Sequence, residues 1–185
     1  MPTYLLIIIA VVAILVLWLV AVFNSLVTLR NRVHEAWSDI EVQLKRRYDL
    51  IPNLVNAVKG YTKHEEGVFT KVTEARANAM KSQTPAEHAK SENMLTDALK
   101  SLFAVAENYP QLQASQNFLS LQNDLTDAED KIQAARRFYN GQVRDLNTKL
   151  QVFPNNFVAG SFGFKKEAFF DAEDEKINQT PEVKF

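Results

Sequence analysis

Cysteine is absent from this 185-residue chain. That excludes disulfides, thiolate zinc sites, thiol nucleophiles and a lipidated N-terminal cysteine, and it leaves the redox compartment unassigned. Glycine and proline are scarce, at 5 and 6 residues, whereas Ala, Leu, Lys, Glu, Gln and Asn are plentiful. This balance favours long helices over sheet, and the expected fold class is all-α. An excess of one charge sign is also missing. The 21 basic and 22 acidic residues leave a formal net charge of -1, so no overall field draws nucleic acid, and no nucleic-acid partner is expected.

What the chain does have is one long uncharged run. Residues 4–23 read YLLIIIAVVAILVLWLVAVF, and at about 1.5 Å per residue they reach roughly 30 Å, the thickness of one hydrocarbon core. A buried core helix would carry a polar face, and this one has none. A cleaved signal peptide fits poorly: the leading MPT has no Lys or Arg, the run is long for such a segment, and no A-x-A-like site follows. Residues 1–24 are therefore read as a transmembrane anchor. Arg30, Arg32, Lys45, Arg46 and Arg47 follow the run and no basic side chain precedes it. That asymmetry predicts a single-pass protein of the cell (inner) membrane, with its N-terminus outside and its helical domain cytoplasmic.

Beyond Asn24, the residues Leu26, Leu29, Val33, Trp37, Ile40, Leu44, Tyr48, Ile51, Val55 and Val58 recur at steps of three and four, one stripe of an amphipathic helix continuous with the anchor. Pro52 interrupts it without a surrounding polar loop, so either a kink or a tight reversal is expected there. Residues 53–81 again read as helical, ending in a polar loop. Thr84, Pro85 and Glu87 have the spacing of an N-cap, a first-turn proline and a first-turn acid, opening a helix over about residues 86–107. Asn108, Tyr109 and Pro110 break it. The last helix carries the clearest stripe: Phe118, Leu121, Leu125, Ala128, Ile132, Ala135, Tyr139, Val143, Leu146, Leu150 and Phe153. A seam of that length needs a partner helix, and an antiparallel up-and-down bundle over residues 25–170 supplies one. Residues 171–185, acidic at first, read as a solvated and flexible tail.

Three stretches together carry a family likeness: LVTLRNRVHEAWSDIEVQLKRRYDLIPNLVNAVKGYTKHE, LKSLFAVAENYPQLQASQNFLSLQNDLTDAEDKIQAARRFYNGQVRDLN and FPNNFVAGSFGFKKEAFF. They span most of the chain, which resembles the LemA family of bacterial membrane proteins. The resemblance implies a four-helix LemA-like bundle on one membrane anchor. It carries no catalytic residues onto this chain.

A di-iron bundle would need Glu-x-x-His pairs, but His34, His64 and His88 follow Asn31, Tyr61 and Pro85 at that spacing. All three histidines are read as solvated. The serines lack a nucleophile elbow, and GSFGF at residues 160–164 lacks the phosphate-loop spacing and its Lys-Ser/Thr pair, so it reads as a flexible turn. The expectation is no enzyme, no metal and no cofactor. Two features remain. The cluster Lys45, Arg46 and Arg47 is read either as inter-helix ion pairs or as a contact for anionic headgroups or a partner. Phenylalanines crowd residues 153–170, and Phe157, Phe162 and Phe164, interleaved with Lys165 and Lys166, either pack on the bundle or lie in the headgroup region.

Pro52 arbitrates between these two placements. A reversal there brings the end of the last helix to the membrane, whereas a mere kink, in a first helix running on to residue 81, leaves it far away. The function expected is a non-enzymatic scaffold that self-associates, as a homo-oligomer, or docks membrane-protein partners. The alternative is a membrane-proximal sensor or adaptor using Trp37, Arg46, Arg47 and the late phenylalanines.

Overall fold

The computed structural model describes residues 2–62 and 64–170. Among them are six helices and no strand: α1 Thr3–Lys59, α2 Glu66–Ala79, α3 Pro85–Ala106, α4 Pro110–Gln113, α5 Gln116–Gln151 and α6 Asn155–Ser161. The protein is all-α, as its composition predicts. The tail expected at residues 171–185 lies outside the described residues.

The apolar run and the amphipathic stripe share α1 without a break. Residues 2–21 are exposed on every side, which places Leu, Ile and Val around the whole circumference with no protein against them. Among the described residues, α1 is the one helix long and apolar enough to cross a membrane. From Leu26 onward a single face is covered: Leu26, Val33, Ile40, Leu44, Tyr48, Ile51, Val55 and Val58 are buried.

Pro52 sits inside α1 on its exposed face and does not reverse it. A proline offers no N–H to the carbonyl four residues earlier, here that of Tyr48, and Arg76 of α2 takes that place, its Nε donating to the Tyr48 carbonyl oxygen at 2.7 Å. The chain turns between α1 and α2 instead, within the stretch expected as one helix over 53–81. Gly60 is a poor helix former, and Lys59 in the last turn of α1 and Glu66 in the first turn of α2 suit the negative and positive ends of their helices. α3 opens as expected: the Thr84 hydroxyl accepts from the Glu87 N–H and the Glu87 carboxylate accepts from the Thr84 N–H, a capping box with Pro85 at the first turn.

The described residues form two compact units. One comprises residues 39–137 with 168–170, an up-and-down four-helix arrangement of the second part of α1, α2, α3 and the first part of α5. Side chains fix the directions: Lys59 lies over the Phe69 ring at 5.3 Å while Arg76 meets Tyr48, and Phe103 meets Phe118 at 6.4 Å. Ile40, Leu44, Leu95, Leu102, Leu112 and Ile132 fill the core. The other unit comprises residues 2–38 with 138–167. Here α1 and α5 run antiparallel, Trp37 packing edge-on against Tyr139 at 5.4 Å, with Val143, Leu146 and Leu150 buried in the seam. Phe153, expected to continue that seam, does not. The residue before a proline is driven out of helical geometry, α5 ends at Gln151, and Phe153 is 79% exposed.

Candidate polar cluster and aromatic platform

In the four-helix unit, the adjacent residues Arg47 and Tyr48 on α1 both turn inward. The Arg47 side chain is only 2% exposed. Its Nη1 lies 2.8 Å from Glu92 Oε2 on α3 and 3.1 Å from Glu129 Oε2 on α5, and its Nη2 donates to Thr96 Oγ1 at 2.8 Å. The Tyr48 hydroxyl donates to the other Glu92 oxygen. Burial pushes the Glu92 carboxyl above its ordinary range, outweighing the Tyr48 hydrogen bond and the Arg47 charge that favour its ionised form. Burial, and then the hydrogen bond to Glu92, also raise the Tyr48 phenol. The cluster bonds three helices through charged groups.

Arg46 is partly exposed, with Nη1 2.7 Å from Asp127 Oδ2 and Nη2 3.9 Å from Asp124 Oδ1. The hydrogen bond from Lys131, and then that from Arg46, hold the Asp127 carboxyl below its ordinary value. Of the basic triplet, Lys45 alone points freely to solvent. Arg47 is enclosed in the bundle, out of reach of a headgroup. His88 also differs from expectation. It lies on the inner side of α3, buried, because the helix opened by the Thr84 cap carries position 88 inward together with Ser91, Glu92 and Leu95. Burial lowers its pKa.

In the unit of residues 2–38 and 138–167, the late phenylalanines meet the end of the apolar run. Phe23 packs edge-on against Phe162 at 4.9 Å and Phe164 at 5.8 Å, and the Arg30 guanidinium lies 5.4 Å from the Phe164 ring centre. The turn behind this contact, within GSFGF, is closed by hydrogen bonds. Gly163 adopts φ 71°, its N–H donates to the Gly160 carbonyl at 3.3 Å, and the Phe164 N–H donates to the Ala159 carbonyl at 3.0 Å, the two bonds of a Schellman closure. The Asn147 side chain then clamps Glu167 by both backbone groups, at 2.9 and 3.0 Å.

The structure divides the phenylalanines between the two readings. Phe170 is buried in the four-helix unit with Arg136 4.5 Å from its ring centre. Phe164 is half-buried, while Phe153, Phe157 and Phe162 are exposed, as are Lys165 and Lys166. Trp37 belongs to the same unit as these aromatics; Arg46 and Arg47 belong to the other. Glu92, Arg76, Phe23 and Asn147 were missed in the sequence. Glu92 left one signal, a charged residue on the same helical face as Leu95, Leu99 and Leu102.

A membrane-spanning candidate helix continuous with a helical bundle, and no strand among the described residues, define a membrane-associated all-helical protein. The chain belongs to the LemA family, whose model matches residues 36–185. Among curated relatives it is similar to protein LemA of Metamycoplasma hominis, 28% identical over 155 residues, covering 82% of this chain and 69% of that one. It is also similar to magnetosome protein MamQ 2 of Paramagnetospirillum magneticum, 24% identical, covering 86% and 67%. For magnetosome protein MamQ of Magnetospirillum gryphiswaldense the identity is 22% and the shares are 80% and 64%.

Proposed function

We propose that this protein is a non-enzymatic scaffold, held in the cell (inner) membrane by α1 with its helical domain on the cytoplasmic side, which self-associates or docks membrane-protein partners through its helical faces. The carrying observation is the use made of interior polar groups. Arg47, Tyr48, Glu92 and Thr96 bond one another across helices, and the Arg76 guanidinium serves a backbone carbonyl. Such bonds commit these polar groups to joining the chain's own helices, which supports a structural over a catalytic reading. The exposed Arg30, Arg32 and Lys45 after the run support the orientation. Val42, Leu119 and Phe138 stand exposed on their helices as points for contact.

The test is the native mass of the full-length protein in lipid nanodiscs, with companions identified in the same sample. A homogeneous self-assembly or a stoichiometric membrane-protein companion supports the scaffold; a solitary monomer without companions overturns it.

A second reading, an adaptor that binds a small ligand, is favoured by one feature. A groove of about 340 Å³ between α3 and α5 is lined by Thr96, Leu99, Phe103, Gln122 and Glu129 with Arg47 at its side, within the size range of small-molecule sites. Ligand-dependent stabilisation that is lost in Gln122→Trp would favour this reading over the first.

A further inference from the structure

The span and α6 meet at one level. An apolar run of about 20 residues fills one hydrocarbon core, so Phe23, its last residue, stands where α1 leaves the acyl region. Phe162 and Phe164 touch Phe23 directly. The αL turn at Gly163 and the Asn147 clamp on Glu167 fix the segment that carries them. α6 is thereby held beside the point of exit.

What α6 and its flanks present there is apolar and aromatic. Phe153 and Phe157 pack on each other at 5.9 Å yet remain 79% and 65% exposed, Phe162 is 53% exposed, and Val152 is exposed beside them. A globular surface in water gains nothing from such a group. Lys165 and Lys166 follow, both exposed. Phenylalanine rings backed by lysines match the boundary between acyl chains and headgroups, where rings bury and ammonium groups meet phosphates.

We propose that residues 152–166 form a second membrane contact: Phe153, Phe157 and Phe162 enter the headgroup–acyl boundary of the leaflet through which α1 emerges, and Lys165 and Lys166 engage anionic headgroups. The proposal rests on reading α1 as a span. The occupant is the bilayer itself, because the exposed aromatics are continuous with the end of the apolar run.

The absence of native cysteine makes the test direct. Single variants Leu15→Cys, Glu35→Cys, Phe157→Cys and Phe162→Cys of the full chain are labelled with an environment-sensitive dye. They are reconstituted in vesicles of phosphatidylcholine with some phosphatidylglycerol, carrying lipids spin-labelled near the headgroup or deep in the chains. Leu15→Cys reports on the span itself. Glu35 lies on α1 about 18 Å beyond Phe23, at about 1.5 Å per residue, and reports water. The expected result is quenching at 157 and 162 that is several-fold stronger from the shallow label than from the deep one, with deep quenching at 15 and none at 35.

Deep quenching at 15 with 157 and 162 as unquenched as 35 overturns the second contact while leaving the anchor standing. A label at 15 that sees no lipid overturns the anchor, and the proposal with it. Blue-shifted but unquenched labels at 157 and 162 mean that a protein covers α6, a second copy or another chain, and also overturn the proposal. Omitting phosphatidylglycerol, or introducing Lys165→Glu with Lys166→Glu, is expected to weaken shallow quenching at 157 at least two-fold. No change would remove the lysines from the contact.

Discussion

The Nε of Arg76 donates to the backbone carbonyl of Tyr48 at 2.7 Å, the acceptor that Pro52 leaves without its helical donor. A side chain from α2 thus completes a hydrogen bond of α1, and the proline is accommodated within the helix. Removing a partner from a buried carbonyl costs about 1–3 kcal/mol. Arg76→Met is expected to destabilise the full-length protein by about that amount in denaturant unfolding followed by circular dichroism. In a Pro52→Ala background the N–H returns and the same substitution costs less; equal costs in both backgrounds would dissociate Arg76 from the proline.

The buried Arg47 pair is asymmetric in its vulnerability. Glu92→Ala leaves the enclosed guanidinium with the Thr96 hydroxyl and the partly exposed Glu129 carboxylate, and should cost about 3–5 kcal/mol. Arg47→Met with Glu92→Leu removes both charges and should cost less than the single change. Additive losses in a double-mutant cycle would show that the two residues do not act as a pair.

Two titrations act in opposite directions. The His88 pKa is lowered from its ordinary 6.5 by burial, so the folded state binds fewer protons than the unfolded one. Its contribution to stability is present above about pH 6.5 and is lost as pH falls through the lowered folded value. Glu92, raised by burial above its ordinary 4.5, contributes below that value and loses its contribution as pH rises through the raised folded one. In chemical denaturation across pH 5 to pH 7.5, about the range in which an ordinary imidazole titrates, His88→Gln is expected to lose the acid-side decline that the parent shows. An unchanged profile would assign the decline to other groups.

Gly163 is held at positive φ, where a side chain costs about 1–2 kcal/mol. Gly163→Ala should lower stability by about that amount, while Gly160→Ala, with open space around its position and inside α6, should not. Equal effects would mean that the left-handed turn is not what holds Phe164.

Much of the fold was legible because it is periodic. The stripes of α1 and α5 and the Thr84 cap repeat at spacings that water itself enforces, and the apolar run announces its solvent by length. What stayed hidden are one-to-one encounters between distant residues. Nothing in the local pattern at Pro52 tells that Arg76, 24 positions later by the numbering, arrives to serve Tyr48, so the position of the reversal was open. The route by which Phe162 reaches Phe23 was left open for the same reason, and a turn after Lys59 was not among the alternatives. With the turn placed between α1 and α2 the chain still returns, even though α1 runs on through Pro52. The ion-pair reading of the basic triplet holds for Arg46 and Arg47, but the sequence did not divide the three: consecutive residues point in three directions on a helix, and only Arg47 faces inward.

The uninterrupted passage of α1 from apolar run to packed stripe fixes an azimuth as well as a depth. Leu26 is buried against its neighbours, and stepping back along α1 at 3.6 residues per turn places Leu19, Leu15, Val12 and Ile8 on that same side. That sector of the apolar run is therefore fixed relative to the part of residues 138–167 that packs on α1: turning one turns the other, as with a key and its shaft. A substitution that turned this sector of α1 would be felt at Phe23, where Phe162 and Phe164 rest.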